Sequence, residues 1–346
     1  MAAMADAGAG QGSGQRGGGS RTMRAAVLHG HGQPPEYGRH PVPRRAAGQA
    51  LIRVSASPVS PLDLLLASGT SYFGAPTLPY VPGTQGVGVV EQADTLTPGQ
   101  RVWFSGSAGL APGDGTLAEL CVVDENGVVP LPETVSDDLV AALGLSAIAA
   151  WMALTWRGGM RAGEHVLVLG ASGTVGQVGI QVARLHGAGR VIGACRDALG
   201  RQRAADLGAD AIADLTGDDP AVIASRLAEE CAGRLDLVLD PVWGVPAQAA
   251  LRVMSPGARL VNLGSSAGQE ASLSSATLRS GTLSVLGYTN NAVRPEQRAA
   301  ALTEILGHAA VGRLQVDWER LPLAEIAAGW ARCGKAPHRR AVMIPP

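Results

Sequence analysis

A chain of 346 residues is long enough for two domains of ordinary size, each with its own hydrophobic core. Charged residues make up only 16% and the net charge is −1, so the composition favours neither nucleic acid nor a basic partner. The four cysteines, Cys121, Cys195, Cys231 and Cys333, form no Cys-x-x-Cys pair. This argues against a zinc ribbon or a disulfide framework and fits a reducing, cytoplasmic compartment.

The first third of the chain predicts a domain of short strands. Residues 1–22 are mostly Gly, Ala, Ser and Gln without periodicity, which predicts a disordered leader. Apolar runs at 23–28, 50–56, 86–91, 101–104 and 117–123 predict strands, because Pro- and Gly-rich loops separate them. Short strands of this kind are typical of a small β-barrel-like domain.

The segment from Leu139 to Trp156 has no charged residue and is long enough to raise the question of a membrane span. Much of it is Ala, Gly and Ser, and charged residues close both of its ends. Ser136 is a good N-cap, and the aspartates that follow it favour the start of a helix. We therefore predict a buried helix at a domain junction over 136–154, and no membrane partner.

Strands and helices alternate in the remaining part of the chain. Strands are predicted at 166–169, 191–195, 211–214, 235–240, 259–264 and 283–287, with helical stretches between most of them. This alternation indicates an α/β fold with a doubly wound parallel sheet. A helix is expected at 298–306, and the strand at 340–344 is expected to return to the first domain.

A glycine-rich turn follows the first strand of that sheet. It reads Gly170-Ala171-Ser172-Gly173-Thr174-Val175-Gly176, and the next segment carries an apolar stripe of helical spacing. Small residues let the backbone approach a pyrophosphate, and a helix N-terminus offers unpaired N–H groups and a positive dipole end. Strand, Gly-x-x-Gly-x-x-Gly and helix together predict a dinucleotide site, with a plain tight turn as the alternative.

Several further motifs occur in the order of a known family. Residues 57–63 resemble its first active-site loop, 82–90 its pattern PGxExxGxV, and 131–132 with 144–151 the start of its nucleotide domain. Residues 240–244 and 262–265 resemble its loops along the cofactor. From about Met23 onward the chain is similar to the zinc-independent, quinone oxidoreductase-like (zeta-crystallin-like) branch of the medium-chain dehydrogenase/reductase superfamily.

The resemblance implies two domains and a set of cofactor contacts. A Rossmann domain would span 141–290, and a β-rich GroES-like catalytic domain would combine 23–140 with 291–346. An apolar edge strand at 282–286 would pair with its copy in a homodimer. Besides the glycine turn, the implied cofactor contacts are Cys195, Arg196, Asp240, Val242, Leu263, Gly264, Ser265, Leu286 and Tyr288.

The positions of the family's catalytic zinc ligands are occupied differently in this chain. Zinc-dependent members have a Cys in the first loop and a His-Glu pair after the Pro-Gly, since Zn²⁺ takes three protein ligands and keeps one open position. Here Val59 and Ser60 stand in the first loop, and Thr84 and Gln85 follow the Pro-Gly. The seven histidines are scattered. We therefore predict an enzyme without a metal.

The end of the second strand predicts which nicotinamide cofactor is bound. NAD-preferring sites carry a carboxylate there that accepts from the ribose 2′-hydroxyl. Cys195 holds that place and Arg196 follows it, and a guanidinium matches the geometry of a 2′-phosphate. NADPH is the predicted cofactor. Two alternatives remain: a register slip that brings Asp197 to the ribose, and a solvated Arg196.

Without a metal, no Lewis acid polarises an alcohol, so the expected small-molecule substrate is a conjugated acceptor such as a quinone or an enone. The resemblance implies Tyr72 as proton donor or substrate contact, with a solvated loop tyrosine as the alternative. Ser60 is the second catalytic candidate, on the nicotinamide side. Asp63 is expected to fix the loop rather than to act as an acid.

Two other functions stay open at this point. One is an enoyl-thioester reductase of the polyketide or fatty-acid type, which a basic patch for phosphates would favour. The basic cluster that the sequence offers is His338, Arg339 and Arg340, with a solvated turn as the alternative. The other is a cofactor-binding family member with little turnover.

Overall fold

The structure is a computed structural model that describes residues 21–335 and 338–346. Of the leader predicted at 1–22, residues 1–20 lie outside the described residues, and strand β1 starts at Thr22. The strands are β1 (Thr22–Val27), β2 (Glu36–Pro41), β3 (Gln49–Pro58), β4 (Gln85–Gln92), β5 (Arg101–Ser105), β6 (Leu120–Asp124), β7 (Val128–Pro130), β8 (His165–Leu169), β9 (Arg190–Cys195), β10 (Ala211–Asp214), β11 (Leu237–Asp240), β12 (Arg259–Asn262), β13 (Ser284–Gly287), β14 (Trp318–Pro322) and β15 (Arg340–Ile344). The α-helices are α1 (Pro61–Ala67), α2 (Asp137–Met152), α3 (Thr174–Leu185), α4 (Ala198–Asp206), α5 (Pro220–Cys231), α6 (Gly244–Leu251), α7 (Ser275–Ser280), α8 (Pro295–Ala310) and α9 (Ile326–Lys335).

A mixed sheet organises the first domain, in the order β14-β15-β3-β4-β5-β7, with β6 also paired to β3. The closing strand β15 pairs antiparallel with β3, so the predicted return of the chain is confirmed. The strand predicted at 117–123 is shorter in the structure. Leu117 and Ala118 leave that ladder because they bond to β1 instead.

The second sheet is parallel throughout, in the order β10-β9-β8-β11-β12-β13. Helices α3 to α6 alternate with its strands, which confirms the predicted doubly wound sheet. Because parallel strands run in one direction, the loops after β8, β9, β11, β12 and β13 all open at the same edge. The exact domain boundaries stay a prediction.

Helix α2 joins the two domains. Ser136 caps it, as predicted, and it continues into one π-helical turn, Ala153–Arg157. Its length and composition would suit a membrane span, but 72% of its most apolar window is buried inside the protein. Gly144 interrupts the helix with φ 29° and ψ −129°, so α2 is two half-helices.

Candidate active site

The three glycines of the turn after β8 have different physical roles. Gly170 has φ +61°, and a Cβ there would lie 2.7 Å from Cγ1 of Val242. A Cβ on Gly176 would lie 2.3 Å from the carbonyl oxygen of Gly170, so this glycine lets α3 pack against the turn. The atom nearest to a Cβ on Gly173 would be the carbonyl oxygen of Gly170, at 3.6 Å. Gly173 therefore leaves space above the turn for a ligand.

The N-terminus of α3 has polar groups to offer that ligand. Its N-cap is Gly173, which has no side chain to bond the first N–H groups. Thr174 is 4% exposed, and its hydroxyl oxygen is sealed from solvent with no hydrogen-bond partner among the described residues, so it is not placed to meet a ligand. The unpaired N–H groups and the helix dipole suit a pyrophosphate. The turn therefore fits a dinucleotide cofactor.

The end of β9 presents a cation, while the neighbouring carboxylates already have partners. Asp197 caps α4 by accepting from the backbone N–H of Gly200 at 2.5 Å. Asp214, at the end of β10, accepts from Arg201 at 3.1 Å and from the N–H of Thr216 at 2.8 Å. The exposed guanidinium of Arg196 makes no hydrogen bond or ion pair within 21–335 and 338–346.

Cys195 faces inward at the same strand end. The residue is 2% exposed, and burial raises the pKa of its thiol to about 11. The thiol is therefore neutral and unreactive at physiological pH. Only the backbone of this residue is available at the sheet edge.

The loops after β11, β12 and β13 gather beside the glycine turn. The fully buried carboxylate of Asp240 accepts from the N–H groups of Val242 and Trp243 at 3.0 and 2.8 Å. This holds Trp243 at φ 56°, a left-handed conformation that is strained for a non-glycine residue. Burial raises the pKa of Asp240. Asp240 therefore shapes the loop, whereas Val242 touches the edge of the turn.

The remaining predicted contacts lie at the same sheet edge. The N–H of Leu263 donates to the carbonyl of Asp240, and the N–H of Tyr288 donates to that of Asn262. A Cβ on Gly264 would lie 2.5 Å from the carbonyl oxygen of Pro241. The structure thus brings together the strand ends that carry Gly264, Ser265, Leu286 and Tyr288; contact with a cofactor stays a prediction.

The first active-site loop satisfies its own polar groups. Ser60 is the N-cap of α1, and its backbone N–H and hydroxyl both donate to Oδ2 of Asp63, at 2.8 and 2.5 Å. Oδ1 of Asp63 accepts from the N–H of Thr84 at 2.9 Å. Asp63 therefore ties two loops together, as expected. The Ser60 hydroxyl is engaged in a helix cap, and its catalytic role stays a prediction.

Tyr72 lies at the wall of an aromatic cleft of about 310 Å³. The tyrosine is 79% exposed and stacks on Phe73, with 4.1 Å between ring centroids. Trp156 and Tyr288 also line the cleft and meet edge to face, with their ring centroids 6.4 Å apart. The cleft also contains Arg157, whose Nε donates to the carbonyl of Gly287 at 2.8 Å. A flat, apolar ring suits these walls.

The interruption of α2 brings together residues from distant parts of the chain. The family resemblance implies that Tyr288 and Asn290 line the mouth of the site, but the sequence does not predict the contact of Gln85 with Leu145. The side-chain oxygen of Gln85 accepts from the N–H of Leu145 at 2.7 Å, directly after Gly144. Asn290 donates to the carbonyl of Leu145 at 3.1 Å and accepts from the hydroxyl of Tyr288 at 2.7 Å. The sequence signal available for the interruption is Gly144 itself, a glycine within an otherwise apolar helical run.

Arg340 holds the other side of this interruption. It is 6% exposed, donating to the carbonyl of Val59 and to the hydroxyl of Ser146, both at 2.8 Å. Burial lowers the pKa of its guanidinium. The expectation of a basic cluster at 338–340 is therefore wrong as a surface patch, since Arg340 points inward and Arg339 lies 3.7 Å from Asp317.

Among residues 21–335 and 338–346, no group of three or more His, Cys, Asp and Glu side chains could hold a metal ion. The places of the family's zinc ligands hold Val59, Ser60, Thr84 and Gln85. None of these side chains is one that a zinc site uses.

Comparisons with known proteins agree with this architecture. Residues 46–133 match the alcohol dehydrogenase GroES-like domain, and residues 174–306 match the family described as zinc-binding dehydrogenase. The second match does not include the four positions just named. The GroES-like and Rossmann-type domains predicted above are thereby confirmed.

The individual relatives include a polyketide synthase subunit and a quinone oxidoreductase. The chain is 31% identical over 281 residues to a phenolphthiocerol/phthiocerol polyketide synthase subunit of Mycobacterium tuberculosis, which is 79% of this chain but 12% of that protein. It is 31% identical over 228 residues to the quinone oxidoreductase of Rattus norvegicus, covering 64% of this chain and 66% of that protein. A mycobacterial protein solved in complex with NADPH has the same fold, with a TM-score of 0.83, 22% identity, and coverage of 93% and 100% of the two chains.

Proposed function

The chain belongs to the quinone oxidoreductase-like medium-chain dehydrogenase/reductase superfamily, and from this premise we propose that it is an NADPH-dependent, metal-free reductase of quinones or activated C=C bonds. One observation carries the proposal: the open, uncapped turn at Gly173 lies on the same sheet edge as the guanidinium of Arg196, which has no partner among the described residues. The turn suits a pyrophosphate and the guanidinium suits a 2′-phosphate.

Preference for NADPH is supported by the partners of the nearby carboxylates. Asp197 and Asp214 both accept from protein donors, which reduces their capacity to accept from a ribose hydroxyl, whereas the guanidinium of Arg196 has no partner among the described residues. The structural relative in complex with NADPH is consistent with the same choice.

Independence from metal is supported by the residue types at the places where zinc-dependent relatives have ligands. Val59 and Ser60 in the first loop, and Thr84 and Gln85 after the Pro-Gly, supply neither thiolate nor imidazole. When bound, the reduced nicotinamide supplies a hydride to the acceptor, and a proton from water or a hydroxyl completes the two-electron reduction and leaves the oxidised cofactor. The residues around the site then have to bind the acceptor, exclude water and stabilise its oxygen.

The aromatic cleft is the proposed acceptor site. Tyr72, Trp156 and Tyr288 offer ring faces and edges to a conjugated acceptor. Tyr72 is placed to line the cleft, and we propose it as substrate contact or proton donor. Its high exposure favours the first of these roles.

An enoyl-thioester reductase is the second candidate, and the polyketide synthase relative favours it. Against it, the arginine expected to form a phosphate-binding patch is buried at Val59 and Ser146. A panel of quinones, enones and enoyl-CoA thioesters, followed by the loss of NADPH absorbance, separates the candidates. We expect turnover with quinones or enones; faster turnover of enoyl-CoA would favour the second candidate. Tight NADPH binding without turnover of any acceptor would contradict both.

We further propose a cytoplasmic homodimer that acts on small molecules and binds neither nucleic acid nor membrane. Strand β13 supports the dimer, because it lies at the edge of the parallel sheet with Val285 and Leu286 only half-buried. An unpaired edge of this kind favours pairing with a second copy. A monomer in multi-angle light scattering would contradict the dimer.

A further inference from the structure

We propose that the side-chain amide of Gln85 is a catalytic hydrogen-bond donor that holds the oxygen of the acceptor during reduction. This inference rests on the proposed function, since it assigns a residue to the acceptor site of that reaction. Gln85 is the first residue of β4 and stands where the family pattern has a glutamate. The chemical difference between the two residues is one NH₂ group in place of one carboxylate oxygen.

The orientation of the amide is fixed by its surroundings. Its oxygen accepts from the indole N–H of Trp103 at 3.2 Å and from the backbone N–H of Leu145 at 2.7 Å. Both partners can only donate, so the oxygen must face them and the NH₂ group must face the other way. A Cβ on Gly144 would lie 1.8 Å from this oxygen, so the contact also depends on the glycine in the interrupted helix.

The NH₂ group has no acceptor. Gln85 is 2% exposed, yet its Nε2 makes no hydrogen bond to any residue that the structure describes. It is also not among the buried side-chain atoms that are both unpaired and sealed from water, such as Oγ1 of Thr84 and Nε of Arg340. Nε2 therefore keeps a small solvent-accessible surface on an otherwise buried side chain. A donor of this kind is available to a ligand.

Hydrogen bonds connect Gln85 to both parts of the proposed acceptor site. On one side, Leu145 bonds Asn290, which in turn bonds Tyr288 in the wall of the aromatic cleft. On the other side, the neighbouring Thr84 bonds Asp63 of the first active-site loop. Hydrogen bonds thus link Gln85 to a wall residue of the cleft and to the loop where zinc-dependent relatives have a metal ligand. In zinc-dependent relatives a metal polarises the substrate oxygen. In this chain the amide of Gln85 would instead donate a hydrogen bond to the oxygen of the acceptor.

The chemistry requires such a donor. Negative charge develops on the acceptor oxygen when a quinone or an enone takes up hydride, and a fixed donor stabilises this charge without reorganising at the moment of reaction. The Ser60 hydroxyl is not free for this, because it donates to Asp63. The amide of Gln85 is both fixed and free.

Gln85→Glu is the decisive variant. It keeps an oxygen for Trp103 and Leu145, and replaces the donor by an acceptor. We expect the hydride-transfer rate measured in single turnover to fall by about 100-fold or more at pH 8, with NADPH affinity unchanged. The loss should shrink as the pH is lowered, because a protonated carboxyl regains a donor. Gln92→Glu, the same change at the exposed end of β4, should leave the rate unchanged.

A second readout does not depend on turnover. Calorimetry with a naphthol, an analogue of the reduced product, should show about tenfold weaker binding to Gln85→Glu at pH 8 in the absence of cofactor. Thermal unfolding of each variant separates this effect from loss of the fold. A folded Gln85→Glu enzyme with the parent rate and naphthol affinity would overturn the inference. A parent enzyme that reduces no acceptor would instead overturn the proposed function, while the naphthol titration would still test Gln85.

Discussion

The turns that lead from β8 into α3 and from β3 into α1 are both strand-to-helix turns, but they use their polar groups in opposite ways. At α1, Ser60 and Asp63 form a capping box that satisfies the first N–H groups within the protein. At α3, the N-cap is a glycine without any side-chain cap. The first N–H groups of α3 therefore stay available to a ligand, whereas those of α1 are bonded within the protein and stabilise the helix.

Adding a cap to the open turn should have the largest effect. Gly173→Asp would bond the first N–H groups of α3 and place a negative charge where a pyrophosphate would bind. Isothermal titration should show NADPH binding weakened by more than about 100-fold, since several charge-assisted hydrogen bonds are lost. Thermal stability should be unchanged or higher.

Gly173→Ala is the matched control, because a Cβ at this position meets no atom closer than 3.6 Å. It should fold normally and weaken NADPH far less than the aspartate does. An aspartate variant that still binds NADPH like the parent would mean that the open turn is not the cofactor site.

The next effect should come from the cation at the end of β9. Arg196→Ala removes a guanidinium that has no partner in the described part of the chain, so stability should not change. A charge-assisted hydrogen bond contributes about 1.5–3 kcal/mol, which corresponds to roughly 10- to 100-fold weaker NADPH binding. NADH binding should be nearly unaffected in the same titration. Equal losses for both cofactors would refute the assignment.

Breaking the cap at α1 should have a smaller and different effect. Ser60→Ala removes the hydroxyl that bonds Asp63, and loss of an N-cap costs about 1 kcal/mol of unfolding free energy. Denaturant unfolding should show this loss, with NADPH affinity unchanged. A large fall in turnover without any loss of stability would instead support Ser60 as a catalytic residue.

The smallest effect is expected at the far end of α3. His186 is the C-cap of α3 and packs edge-on against Trp151, and its pKa is lowered chiefly by burial and further by the nearby His308, while Glu304 opposes the shift. A lowered pKa means that the unfolded chain binds the proton more tightly. Stability should therefore be full above about pH 6.5 and decrease as the pH falls below this value. The decrease should stay below about 1 kcal/mol, since the side chain is partly solvated.

Unfolding midpoints at pH 7.5 and 5.5 test this prediction. The difference between the two should be smaller in His186→Gln than in the parent protein. An equal difference in both proteins would assign the pH dependence to other groups.

The glycine turn could be predicted from the sequence because its requirements are local. Strand, turn and helix follow one another within about twenty residues. The atoms that would clash with a Cβ at Gly176 lie in the same turn. Gln85 could not be predicted in its role, since its partner Leu145 is 60 residues away. Arg340 and Ser146 are 194 residues apart. Such contacts depend on how the two domains meet, which periodicity does not encode.

One strand that the sequence did not predict, β2, was missed for a related reason. Three of its six residues are exposed, none is fully buried, and no apolar alternation reveals it. It forms because β1 offers a free edge, and the two pair over six residues. Burial patterns predict strands that face a core, whereas β2 is held by its neighbour's backbone.

The interrupted helix α2 has a consequence for the order in which contacts form during folding. Gln85 reaches Leu145 across 60 residues of chain, whereas Arg340 in β15 reaches Ser146 across 194. The longer loop loses more chain entropy when it closes. We therefore expect the Gln85 side of the junction to form first, and β3 to gain its β15 neighbour in the later step.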